Sequence, residues 1–137
     1  MAFFRYGNKN IYYDEIGAGV PVVLLHGDTA SSKMFAPVIP LYTNRLRVIL
    51  MDFLGNGQSD RVEEFPSDLW YSQARQVIAF LEYSDCGKVN LIGTSGGAWT
   101  AVHAALERPD LVYKVVADSF DGRTLQNDFS ENLLKER

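Results

Sequence analysis

The chain holds a single cysteine, Cys86, and only two histidines, His26 and His103, among its 137 residues. One thiol excludes a disulfide framework. One cysteine and two histidines also fall short of a structural zinc set, so no metal and no cofactor is expected. Basic residues are not in excess: the formal net charge is -4 and the pI is near 5.1. That excludes the cationic face a nucleic-acid partner requires. No apolar run approaches the ~20 residues of a membrane-spanning helix. The opening MAFFRYGNKN lacks the apolar stretch and small-residue cleavage pattern of a secretory leader. The expectation is a soluble, cytoplasmic chain with neither a nucleic-acid nor a membrane partner.

What is present is an ordinary globular composition, 47% hydrophobic and 22% charged, in a length that suits one domain with a real core. AFFRYGNKNIYYDEIG reads as two β segments around the turn residues Gly7 and Asn8. VPVVLLHG, LRVILMDF, KVNLIG and VYKVVADSF follow, short runs rich in β-branched residues. Their apolar character on both faces is that of parallel strands covered on two sides. Amphipathic stretches separate them. Trp70, Ala74, Val77, Ile78 and Leu81 recur at helical spacing, with Ser67 placed to cap the start. Ala98, Ala101, Val102 and Ala105 form a stripe of small residues that lets a helix lie close to a sheet, and Pro109 closes it. The order β-β-β-α-β-α-β-α-β predicts an α/β fold with a parallel sheet. NDFSENLLKER at the end starts like a helix, with Asp128 or Ser130 as cap; it has no stop signal, and a truncated chain is expected.

Three strand ends carry chemistry. Gly93-Thr94-Ser95-Gly96-Gly97 fits G-x-S-x-G, in which a serine sits on a sharp strand-to-helix turn and flanking side chains would clash. The helix N-terminus behind it favours developing negative charge. A glycine-rich phosphate loop is the competing interpretation, but neither G-x-x-x-x-G-K-[ST] nor G-x-G-x-x-G is present. LLHGD, ending the third segment, offers the main-chain N–H of Asp28 as one oxyanion donor, with Gly96 as the other. MDFLGNGQSD, ending the fourth, makes a glycine-rich turn in which Asp52 reads as a loop organiser.

His-Gly after the third segment, D-x-x-G-x-G-x-S after the fourth and G-x-S-x-G after the fifth resemble, in this order, the α/β-hydrolase superfamily. ALERPDLVYKVVADS is similar to the family's path from the nucleophile helix into strand six, so the likeness runs from about residue 10 to 120. The resemblance implies a three-layer α/β/α sandwich with a mostly parallel sheet, the N-terminal part of that fold through strands 1–6. Residues 1–120 would be this core part and 121–137 the start of a truncated cap or linker. It implies a serine hydrolase of the Ser-His-Asp kind, esterase-like, acting on a small-molecule ester-like substrate. Ser95 would be the nucleophile, the Asp28 and Gly96 amides the oxyanion hole, and His26, Gly27, Gly93 and Gly97 site-shaping residues. Two alternatives stay open: a non-catalytic ligand-binding or interaction protein, and cofactor-free haloperoxidase or C–C hydrolase chemistry.

The sequence departs from the family twice. Asp28 stands where an apolar or aromatic residue is common; its carboxylate either turns away to cap the next helix or opposes the transition-state charge. The late acid and late histidine have no room before Arg137, so the chain as given is expected to be weakly active or inactive. His103, on the Ser95 helix about 12 Å along its axis, is read as a packing or solvent residue. His26 reads as structural, with a surrogate base as the alternative. Asp118, ending the sixth strand, is a candidate triad acid; the alternative is a strand-end turn or helix cap, a role Ser119 and Asp121 could fill equally well. Trp99, one turn past Ser95, reads as core packing or pocket lining. Without further strands the sixth would be an exposed apolar edge, so a homo-oligomer, domain-swapped or paired edge to edge, is expected.

Overall fold

The computed structural model describes residues 2–119. They form one six-stranded sheet: β1 (Ala2–Tyr6), β2 (Lys9–Ile16), β3 (Val20–Leu25), β4 (Leu46–Met51), β5 (Val89–Thr94) and β6 (Val112–Asp118), in the spatial order β1-β2-β4-β3-β5-β6. Gly7, at φ 61°, opens the two-residue loop that folds β1 back on β2, with Tyr6 opposite Lys9. β2 meets β4 antiparallel, whereas β4, β3, β5 and β6 run parallel. The sheet is therefore mixed, with a parallel majority.

Alternation along the central strands explains the layers. Val23 and Leu25 point with Ile49, Met51 and Leu91 into one core, under α2 (Leu69–Ser84) and α3 (Gly96–Glu107). Val22 and Leu24 point with Val48 and Leu50 into the other. There Phe35 covers them from a 3₁₀ turn at Ser32–Phe35, beside the short helix α1 (Ile39–Tyr42). This is the α/β/α sandwich expected of strands apolar on both faces, with the first crossover supplying only short helical pieces. Ser67 is not the cap of α2: the helix starts one residue later, after Asp68, which makes no side-chain capping bond. Gln73 and Gln76 lie inside rather than on the solvent face. Gln73 Oε1 accepts the Thr100 hydroxyl at 2.9 Å, and Gln76 Oε1 accepts the Leu54 N–H at 3.0 Å. These bonds satisfy side chains that burial would otherwise penalise by ~1–3 kcal/mol each.

Among the described residues β6 is a sheet edge, with Tyr113 and Val116 exposed, and no helix is long and apolar enough to cross a membrane. The helix start expected at Asp128 or Ser130, the cap segment at 121–137 and Asp121 lie outside the described residues.

Candidate active site

β3 and β5 are adjacent parallel strands, with Leu25 opposite Gly93, so the loops after both leave the sheet at the same end. Ser95 is the hinge between β5 and α3. Its φ of 55° and ψ of -120° lie where an L-residue rarely sits, a conformation that costs ~1–3 kcal/mol and persists only when the surroundings enforce it. Two hydrogen bonds help to enforce it: Ser95 N–H donates to the Asp118 carbonyl at 2.9 Å, and the Ser95 carbonyl accepts the Ala98 N–H at 3.0 Å. The side chain is exposed.

The glycines are required by space. A Cβ on Gly93 would lie 2.1 Å from the Gly97 carbonyl oxygen, and one on Gly97 2.3 Å from the Leu25 carbonyl oxygen. Those contacts are backbone on backbone, so the strand and helix could not cross as they do. On Gly27 a Cβ would sit 3.3 Å from Ser95 Cβ and 3.9 Å from its Oγ. The His-Gly loop thus lies directly against the serine, and Asp28 follows at the same place. At the start of α3 the Gly96 and Gly97 N–H groups have no intrahelical acceptor, and the helix dipole adds to their pull on an anion.

His26 is locked. It is 1% exposed, and both ring nitrogens are used: Nδ1 lies 2.7 Å from the Gly27 carbonyl and Nε2 accepts the Phe53 N–H at 3.1 Å. A carbonyl can only accept and an amide N–H only donate, so the ring is neutral with its proton on Nδ1. Burial pushes its pKa below the ordinary value, against the opposing pull of the Gly27 carbonyl and of Asp52 and Asp28. A nitrogen already holding an amide proton cannot take one from Ser95. The surrogate-base alternative therefore fails, and His26 ties the β3 loop to the β4 loop. His103 stands edge-on to Tyr71 with ring centroids 5.9 Å apart, a packing residue on α3.

Asp52 organises its loop as expected: Oδ1 accepts the Ser32 N–H at 2.7 Å and Oδ2 the Gln58 N–H at 2.9 Å. Asp118 lies at the end of β6 beside the elbow, where its carboxylate accepts the Thr94 hydroxyl at 2.9 Å. Neither histidine of the chain meets it there.

Asp28 does not turn away to cap the following helix; Ser31 caps that 3₁₀ turn. Its carboxylate instead receives the Trp70 indole N–H, at 3.0 and 3.2 Å to the two oxygens. It lies so close over Gly96 that a Cβ there would be 2.1 Å from Oδ1. Trp70 in turn stacks on Trp99, rings 5.2 Å apart and 7° from parallel. Trp99 thus belongs to the rim of the site rather than to the buried core. This Asp28–Trp70–Trp99 arrangement escaped the sequence reading because its members come from three different elements. The one available signal was a carboxylate directly after His-Gly.

A family model described as alpha/beta hydrolase fold matches residues 20–136. A 2-hydroxy-6-oxo-6-(2'-aminophenyl)hexa-2,4-dienoic acid hydrolase of Metapseudomonas resinovorans is 31% identical over 121 residues, covering 83% of this chain and 40% of that protein. Among solved structures, an E-2-(acetamidomethylene)succinate hydrolase superposes with a TM-score of 0.75 at 29% identity, over 87% of this chain and 45% of the other. A marine microorganism esterase does so with a TM-score of 0.76 at 25% identity, over 90% and 48%. The chain spans less than half the length of each.

Proposed function

The chain belongs to the α/β-hydrolase fold family, and from that premise we propose that Ser95 is the nucleophile of a hydrolase that transfers an acyl group from an ester to water. The observation that carries the proposal is the strained backbone of the exposed Ser95 at the β5–α3 turn, with Gly27 pressed against it.

In this reading Ser95 Oγ attacks the ester carbonyl and gives up its proton to a base. The carbonyl oxygen becomes an oxyanion held by the Asp28 and Gly96 N–H groups. Collapse expels the alcohol, which takes the proton, and leaves an acyl group on Ser95. Water then repeats the sequence and frees the acid. Neither histidine of the chain is that base, because His26 is committed on both nitrogens and His103 packs on Tyr71. Asp118, bonded to Thr94 beside the elbow, is a candidate acid. Two of the relatives are named for carboxylic acids; the Asp28 carboxylate over Gly96 would repel such anions, which favours esters for this chain.

The same locked histidines favour a second reading, a pocket that binds its ligand without turning it over. A fluorophosphonate probe separates the two. A covalent adduct mapped to Ser95 and lost in Ser95→Ala is the expected result; a folded sample whose Ser95 stays unmodified would support binding alone.

A further inference from the structure

Among the described residues no cationic side chain pairs with the Asp28 carboxylate. It is exposed, and the ion pairs among the described residues lie elsewhere, at Arg47–Glu15, Arg75–Asp68 and Arg108 with Glu82 and Asp110. Among the described residues the carboxylate is bonded by the neutral indole N–H of Trp70. That bond fixes the carboxylate over Gly96 and fixes the half-buried Trp70 indole beside it, while Trp99 backs the same ring. An anion held next to a forming oxyanion opposes it, unless the ligand brings a positive charge of its own. Aromatic faces and carboxylates both attract ammonium groups.

We infer that Asp28 and the Trp70–Trp99 stack form a subsite for an alkylammonium group of the ligand, beside Ser95. The inference deepens the ester-hydrolase reading and rests on it for the ligand's orientation. It names the substrate class: an ester, or a non-reacting analogue, with a monocationic nitrogen in the acyl or alcohol part. The ammonium sits against the Asp28 carboxylate, leaving the ester carbonyl to reach Ser95. Anionic ligands are rejected at the same place, and neutral ones gain nothing from it.

Both tryptophans of the chain belong to this stack, so fluorescence excited in tryptophan and not in tyrosine reports on the subsite and needs no catalysis. Benzyltrimethylammonium chloride is titrated against the full chain at constant ionic strength, with benzyl alcohol and sodium benzoate as neutral and anionic controls. A saturable emission change with the ammonium only is expected. Asp28→Asn, which keeps a side-chain acceptor for Trp70, should raise the half-saturation concentration by up to about fivefold, the upper end for an exposed charge pair. Added sodium chloride should weaken the wild-type response in the same direction, which decides the matter even if the variant folds poorly. Equal responses to benzyl alcohol, indifference to Asp28→Asn and salt, or no saturable response would each overturn the inference. Failure of Ser95 as nucleophile is read separately, from the fluorophosphonate adduct.

Discussion

Replacing His26 tests how the site is held together. His26→Ala removes the imidazole that bridges two loops. It leaves the Phe53 N–H without its acceptor and the Gly27 carbonyl without its donor, both at a residue that is 1% exposed. Each stranded group costs ~1–3 kcal/mol, and the vacated volume against Phe53, whose ring centroid lies 4.8 Å away, adds a cavity term. A loss of about 3–5 kcal/mol in urea unfolding is expected, a large share of a small domain's ~5–15 kcal/mol. His26→Gln, which can still offer an acceptor to Phe53, should lose less. The pH dependence follows from the same burial. The folded-state pKa lies below the ordinary 6.5, so between those two values the unfolded chain binds the proton and the folded chain does not. Stability is therefore full above about pH 6.5 and falls as the pH drops below it, with a slope of at most ~1.4 kcal/mol per pH unit from this group. The slope ends once the folded-state value is passed. The wild-type curve minus that of His26→Gln isolates it from the carboxylates. A cost under 1 kcal/mol for His26→Ala, or a difference curve flat below pH 6.5, would refute the locked-imidazole account.

Gly93→Ala should cost more than ~2 kcal/mol, because its Cβ meets the Gly97 backbone. Gly87→Ala, at φ 71° with nothing within 4 Å, should cost only the ~1–2 kcal/mol of a left-handed residue; equal losses in urea melts would show that space is not the issue. Ser95→Gly should be more stable than Ser95→Ala by ~0.5–2 kcal/mol, since glycine alone relieves the positive φ. An alanine variant at least as stable as the glycine one would show that the elbow is unstrained.

The fold was legible where the chain repeats a physical pattern. Residues such as Val22 to Leu25, apolar without interruption, announce a strand covered on both sides, and the glycines at 93, 96 and 97 announce a crossing too tight for a side chain. What was not legible depended on partners distant in sequence. The burial of Gln73 and Gln76 depends on Thr100 and the Leu54 N–H, which satisfy them inside and lie far from them in the chain. Ser67 looked like the cap of α2, yet the helix begins after Asp68 with no capping bond. The turn at Ser95 and the tight crossing at Gly93 and Gly97 were legible in the G-x-S-x-G spacing. His26 could not be decided between base and brace until both of its nitrogens were placed. The Asp28 carboxylate posed a visible conflict whose resolution, the Trp70 N–H, lies 42 positions away.

In the proposed chemistry Ser95 is a nucleophile that neither histidine of this chain activates. The rate of fluorophosphonate labelling of the chain as a function of pH, with the adduct located by peptide mapping, tests both halves together. Slow labelling confined to Ser95, absent from Ser95→Ala and rising steadily with hydroxide through neutral pH to pH ~9, is the predicted result, as for a hydroxyl with no titrating base. Labelling scattered over other serines, or a rate that levels off near neutral pH and is lost with His26→Gln, would contradict it.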